Sequence, residues 1–230
     1  MADRPLAGVR VLELGQLLAG PFAGTILAYY GAEVIKIEPP RTGDPLRVWR
    51  HLQDGTSLWW RSLGRNKKCI TLDLRKERGR ELARALASRV DVIVENFRPG
   101  TMEKWGLGPD DVRQKNPGVI YCRVSGYGQD GPYAQKPGYA SVCEGVGGLR
   151  FVNGFPDRPP VRPNLSLGDS LAGLHAAFGI VTALYNRDGR RSGETAGKGQ
   201  TVDVAIYEAV YNMMEGLVPE YDRLGVVRQR

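Results

Sequence analysis

Short apolar runs separated by helically spaced segments set the frame of this chain. Val9 to Leu14 reads as a first strand, followed by a tight turn from Gly15 to Pro21 and a helix from Phe22 to Tyr30, closed by Gly31. Ala32 to Glu38 is a second strand, stopped by Pro39 and Pro40. This β-turn-α-β unit predicts a parallel sheet. A long polar connection holding Trp59 and Trp60 is expected over residues 40–66. Cys69 to Leu74 is a third strand and Arg78 to Val90 a helix, with Leu82, Leu86 and Val90 at helical spacing. Val92 to Phe97, Val119 to Val124 and Gln200 to Val204 complete the strands, with a short helix over Asp110 to Lys115 and a last one over Ile206 to Leu217. The alternation predicts a doubly wound α/β domain with an open, mostly parallel sheet and helices on both faces. Asp188 to Gly199, rich in Gly, Ser and Arg, is expected to be a solvated turn.

One segment departs from this amphipathic pattern. From Leu171 to Tyr185 only His175, Thr182 and two glycines interrupt an apolar run, so a helix buried on nearly every face is expected. Three prolines between Arg158 and Pro163 keep the preceding stretch out of helix and central strand. Asp169 then stands where loop becomes helix. As an N-cap its carboxylate accepts backbone N–H groups near Leu171 or Ala172. As a nucleophile it is kept ionised by the same helix terminus, which lowers a carboxylate pKa. The two roles are compatible.

With 230 residues, 42% hydrophobic and 25% charged, the composition is that of a soluble globular protein with room for a real core. The N-terminus lacks the apolar stretch of a signal peptide, and glycines and His175 interrupt the one long apolar run, so a cytoplasmic protein that does not engage a membrane is expected. Cys69, Cys122 and Cys143 are odd in number and far apart, and the two histidines have no ligand-spaced partners; neither a disulfide framework nor a metal site is expected. Cys69 and Cys122 fall inside strand patterns and read as small buried residues.

The formal charge is +7. The basic residues gather at Arg61, Arg65, Lys67 and Lys68, at Arg187, Arg190 and Arg191, and at Arg223, Arg228 and Arg230. These clusters are short and lack interleaved aromatics, which argues against nucleic acid and leaves a small polyanionic ligand. Gly126, Gly128 and Gly131 form a G-x-G-x-x-G after a strand, but Pro132 follows and no helix starts there to hold a pyrophosphate. Glu38 stands where an acid would hold a nicotinamide ribose, yet the turn before it lacks the fingerprint. Small residues at Ala19 and Gly20, and the Asn96, Phe97 and Arg98 stretch, lie at strand ends where α/β folds bind ligands.

Taken in order, these stretches resemble the class III CoA-transferase family, the formyl-CoA and carnitine CoA-transferase group. The resemblance is carried by Pro5 to Glu13, Leu18 to Pro21, Gly31 to Glu38, Asn66 to Leu74, Val94 to Gly100, Ser125 to Pro132, Gly168 with Asp169, and Gly197 to Gln200. It implies a Rossmann-like large domain, an interlocked homodimer, no prosthetic group, and coenzyme A or acyl-CoA and a carboxylic acid as substrates. Asp169 matches the family's nucleophile, and Gln16 falls near the reacting atoms. The CoA-binding positions implied are Leu18, Ala19, Leu72, Asp73, Leu74, Arg75, Asn96, Phe97, Arg98, Lys104, Lys136 and Tyr139. A basic residue of the family after the second strand is Pro39 here, with Arg41 as its candidate replacement. The α-methylacyl-CoA racemases of the same superfamily use a histidine that would fall at Gly138 to Ala140, where this chain has none. The stretches Val161 to Asp169 and Pro219 to Gly225 are most similar to members that use succinyl-CoA with dicarboxylic or hydroxy-dicarboxylic acids; Arg47, Arg65 and Arg162 are the candidates for a distal carboxylate. A non-catalytic CoA-binding half-subunit is the other class left open. Family members are longer, so residues 1–205 are expected to be the N-terminal part of the large domain. Residues 206–230 would lead towards a second, small domain, and the chain alone is expected to be inactive.

Overall fold

The computed structural model describes residues 4–189 and 196–230. Arg190 and Arg191 of the second basic cluster, and part of the Asp188 to Gly199 turn, lie outside the described residues. The elements run β1 (Arg10–Glu13), α1 (Ala19–Tyr29), β2 (Glu33–Glu38), a 3-10 turn (Pro45–Val48), the hairpin β3 (Leu52–Gln53) and β4 (Thr56–Ser57), and α2 (Leu58–Leu63). Then come β5 (Lys67–Thr71), α3 (Glu77–Ala87), β6 (Val92–Glu95), α4 (Thr101–Lys104), α5 (Pro109–Arg113), β7 (Ile120–Ser125) and α6 (Ala140–Val146). The last are α7 (Leu167–Gly189), β8 (Thr201–Ala205), α8 (Ile206–Tyr211) and α9 (Leu217–Leu224).

Six strands form one parallel sheet in the order β5-β2-β1-β6-β7-β8. The direction of winding reverses between β1 and β6, which opens a crevice at their carboxyl ends. Side chains alternate across the sheet. Val11, Val92, Val94, Ile120 and Cys122 join α1 and α7 on one face, while Leu12, Leu14, Ile93 and Tyr121 join Ala83, Ala87, Met102 and Leu107 on the other. Gly173 lets α1 and α7 close together, because a Cβ there would lie 2.7 Å from the Ala19 carbonyl.

The structure corrects several boundaries. The turn predicted from Gly15 to Pro21 is shorter, since Ala19, Gly20 and Pro21 already form the first turn of α1. A proline is tolerated there because the first N–H groups of a helix have no partner inside it. Residues 40–66 are not a bare connection. The Asp54-Gly55 pair, with φ of 50° and 72°, turns the β3–β4 hairpin. Ser57 caps α2 through the Trp59 and Trp60 N–H groups at 3.1 and 3.3 Å. The predicted Ile206 to Leu217 helix is broken into α8 and α9, with Glu215 in a left-handed conformation between them. Cys69 is exposed rather than buried because β5 is an edge strand, whereas Cys122 is buried in β7.

α7 differs most from its sequence pattern. Its Ala172, Ala176, Ile180 and Ala183 stripe is buried, but Leu174, Phe178, Val181 and Tyr185 are 52, 75, 42 and 79% exposed. By length and composition it is long and apolar enough to cross a membrane, despite the glycines and His175 that interrupt its apolar run. It packs here against α1, α8, β7 and β8, the environment of a core helix with one uncovered side.

Candidate functional site

The loops that leave β1 and β6 meet at the crevice. Asn96, just past β6, accepts from the Gln16 N–H at 2.8 Å and donates its amide to the Gln16 carbonyl at 2.8 Å. Glu95 holds the same turn by accepting from the Phe97 N–H at 2.7 Å and from Arg123 at 2.9 Å; burial raises its pKa to about 7. Gly15 is required at this crossing, since a Cβ would lie 2.6 Å from Asn96 Oδ1. Leu17 has a φ of 64°, and its N–H is held by the Asp44 carboxylate at 3.1 and 3.2 Å.

Beneath the Gly15–Leu17 loop lies a buried ionic network. Lys36 meets Glu13 and Asp44 at 2.9 Å each and donates to the Gly15 carbonyl at 2.7 Å. Lys67 meets the second Glu13 oxygen at 2.8 Å and donates to the Pro21 carbonyl at 2.7 Å. Burial opposes the charge on Glu13, yet Lys36 and Lys67 outweigh it and lower the Glu13 pKa. Glu38 is engaged by Arg47 at 2.7 and 2.9 Å and by the Asp44 N–H at 2.9 Å, so it is not free to hold a ribose.

Two cavities open at the crevice and share Gln16 and Phe97. The larger, about 570 Å³, is lined by Leu72, Asp73, Leu74 and Arg75 after β5, by Pro39 to Thr42 after β2, and by Trp105. The second, about 300 Å³, is lined by Leu18 and Ala19 at the start of α1, by Asn96 and Arg98, by Lys136 and Tyr139, and by Asp169. Its outer wall carries Trp49 and Trp59, with ring centroids 6.4 Å apart. Gln16 and Asp169 therefore face one space. Lys104, exposed at the end of α4, lines neither cavity. Arg75 is tied to Asp73 at 2.9 Å, and Arg41 lines the cavity beside Pro39.

Asp169 is the third residue of α7 and not its cap, because the helix starts at Leu167, earlier than the apolar run suggests. Its pKa is also not lowered. Burial raises it to about 6, with the Glu144 charge adding to the rise and Arg162 opposing it. Glu144 is fully buried on α6 and accepts from the Gly168 N–H at 3.1 Å. Arg162 donates to it at 2.7 Å through Nε and 3.4 Å through Nη2. Sequence reasoning missed Glu144; the signal was an acid set among Ala140, Val142, Cys143 and Val146. The three arginines considered for a distal carboxylate are all engaged. Arg47 holds Glu38, Arg162 holds Glu144, and Arg65 donates to the Tyr29 hydroxyl at 2.7 Å. His175 is held at both ring nitrogens, by the Leu171 carbonyl at 2.8 Å and Asn212 at 3.1 Å. Among the described residues no three His, Cys, Asp or Glu side chains are grouped to hold a metal ion.

Residues 6–230 match the CoA-transferase family III. Succinyl-CoA–D-citramalate CoA-transferase of Chloroflexus aurantiacus is 54% identical over 228 residues, covering 99% of this chain and 55% of that protein. The alpha subunit of succinyl-CoA–L-malate CoA-transferase of Chloroflexus aurantiacus is 46% identical, covering 98% of this chain and 52% of that protein. The crystal structure of a CAIB/BAIF family protein from Brucella suis superposes with a TM-score of 0.92 at 36% identity, over 99% of this chain and 60% of that one. The chain spans about half the length of the curated relatives it matches.

Proposed function

The chain belongs to the CoA-transferase family III, and on that premise we propose that it carries the nucleophile and the CoA-binding crevice of a transferase that moves CoA from succinyl-CoA to a dicarboxylic acid. The observation that carries this reading is Asp169 facing Gln16 across one cavity at the sheet's switch point. The names of the two Chloroflexus relatives support the donor and the acceptor class. CoA would lie along the crevice, its adenine and phosphate end against Leu72 to Arg75 and Arg41, and its thioester between Gln16 and Asp169.

The steps follow from the carboxylate. Asp169 attacks the donor thioester carbon, the C–S bond breaks, and an aspartyl anhydride and CoA thiolate form. The thiolate attacks the aspartyl carbonyl and releases the donor acid, leaving an aspartyl-CoA thioester. The acceptor carboxylate displaces the thiolate from that thioester. The thiolate then takes the acceptor's acyl group from the second anhydride and frees Asp169. A carboxylate titrating near 6 is ionised at neutral pH and more basic than an ordinary aspartate, which favours attack. The Gln16 amide supplies an N–H donor for the oxyanion at the attacked carbon.

The same reading places residues 1–205 in a Rossmann-like large domain with 206–230 leading to a small one, in a cytoplasmic interlocked homodimer; the uncovered stripe of α7 supports burial against further chain. The test is incubation with succinyl-CoA, borohydride quenching and peptide mapping by mass spectrometry. A reduced adduct at Asp169, absent in Asp169→Ala while CoA still binds, is the expected result. An unmodified Asp169 peptide with CoA bound would instead favour a non-catalytic CoA-binding half.

A further inference from the structure

We propose that Glu144 is a positioning residue for Asp169: it pins the first turn of α7 and places a fixed negative charge beside the attacking carboxylate, with Arg162 holding it in place. The proposal rests on the reading of Asp169 as the nucleophile. Glu144 is wholly buried, and its two oxygens are used in one direction, towards Gly168 N–H and Arg162. Gly168 is what allows this approach, since a Cβ there would meet Glu144 Cγ at 3.2 Å and Ile206 Cγ2 at 3.1 Å. A buried carboxylate that accepts the N–H of the residue before Asp169 fixes where the Asp169 backbone starts. Its charge also acts through protein rather than water, where such interactions are strongest.

Among the charged groups around Asp169, Glu144 is the one that adds to the rise caused by burial. From α6, Cys143 is neutral, its thiol pushed up to about 11 by burial. Arg162, on the segment before α7, pairs with Glu144 and opposes the rise in the Asp169 pKa, the smallest of the three causes. Lys136 and Tyr139 face the same cavity from a solvent-exposed loop, where water screens them. His175, further along α7, is hydrogen-bonded at both nitrogens. Repulsion between two neighbouring carboxylates raises the energy of free Asp169. It is relieved when Asp169 loses its charge on acylation, so the pair favours the step and does not merely tighten binding. The direction of the Asp169 shift, upward with Glu144 as a cause after burial, agrees.

The test separates this from the function itself. The protein is labelled with ¹³C at the aspartate carboxyl, the Asp169 resonance is assigned by its loss in Asp169→Asn, and the wild type and Glu144→Gln are titrated. Glutamine keeps an oxygen for the Gly168 N–H and removes the charge. The Asp169 midpoint is expected to fall by about one pH unit in Glu144→Gln, with acylation by succinyl-CoA several-fold slower at pH 8. Should that variant not fold, Glu144→Gln with Arg162→Met removes both charges and is expected to lower the midpoint by less. A folded variant whose midpoint stays at the wild-type value overturns the proposal and leaves Glu144 a structural clasp. A shifted midpoint in a protein that never acylates upholds the inference about Glu144 and counts against the transferase reading alone.

Discussion

Asp169 carries a conflict between stability and chemistry. Its ordinary pKa of 3.8 rises to about 6 in the fold, so the folded chain binds more protons than the unfolded one between those values. Stability from this group therefore falls as pH rises through about 4 to 6, by at most about 3 kcal/mol. Asp169→Asn is expected to raise the melting temperature at pH 8 by several degrees and to leave it nearly unchanged at pH 4. A calorimetric scan at the two pH values checks this, and an equal shift at both would mean that the charge is not what strains the site. The same basicity sets the acid limb of Asp169 acylation, which is expected to rise with a midpoint near 6 and level off above it. Gln16 offers the complementary case of a residue whose backbone is held twice by Asn96, which leaves its side-chain amide to address the cavity.

At the scale of elements, β1, β2 and β5 depend on the acid shared by their lysines. Glu13 lies on the β1 strand, flanked by Lys36 and Lys67 from two others, and all three side chains are inaccessible to solvent. Glu13→Leu would leave buried Lys67 without its carboxylate and Lys36 with Asp44 alone, and is expected to cost about 3–5 kcal/mol. Urea unfolding monitored by circular dichroism measures it; a loss below 1 kcal/mol on the order-of-magnitude scale of surface pairs would show that the lysines find water. The loop that carries Gln16 sits on this network through the Gly15 carbonyl and Asp44, so the same substitution is expected to weaken CoA binding as well. The contact of α1 with α7 rests on absent side chains. Gly173→Ala would drive a methyl group into the Ala19 carbonyl and is expected to destabilise the fold by about 1–3 kcal/mol. It would also tilt the helix that presents Asp169.

At the scale of the whole molecule, the exposed side of α7 is the feature that bears on assembly. Phe178 and Tyr185 touch little within the chain, so Phe178→Glu is expected to change unfolding free energy by less than about 0.5 kcal/mol. In the proposed dimer it would instead abolish association, read by light scattering on the eluting protein. Much of this architecture was legible beforehand. Val11 and Leu12, or Ile93 and Val94, announce a strand with two apolar faces, and a strand-turn-helix rhythm with long crossovers leaves a parallel sheet as the natural outcome. The hairpin at Asp54 and Gly55 and the Ser57 cap were equally local signals, hidden by the polar look of residues 40–66. Asp169 stood out for its place beside Gly168 at the head of an apolar helix. Its ionisation did not, because that depends first on burial and then on Glu144, which reaches the neighbouring Gly168 from another helix, 24 residues earlier in the chain. The sequence by itself determined the parallel α/β sheet and the family, and singled out Asp169 as the nucleophile proposed above, since these rest on local periodicity and ordered motifs. Only the tertiary structure decided that Asn96 clasps Gln16, that burial with Glu144 nearby raises the Asp169 pKa, and that α7 keeps one side bare. A helix or strand records which of its own residues are apolar, and the fold alone determines what stands across from them.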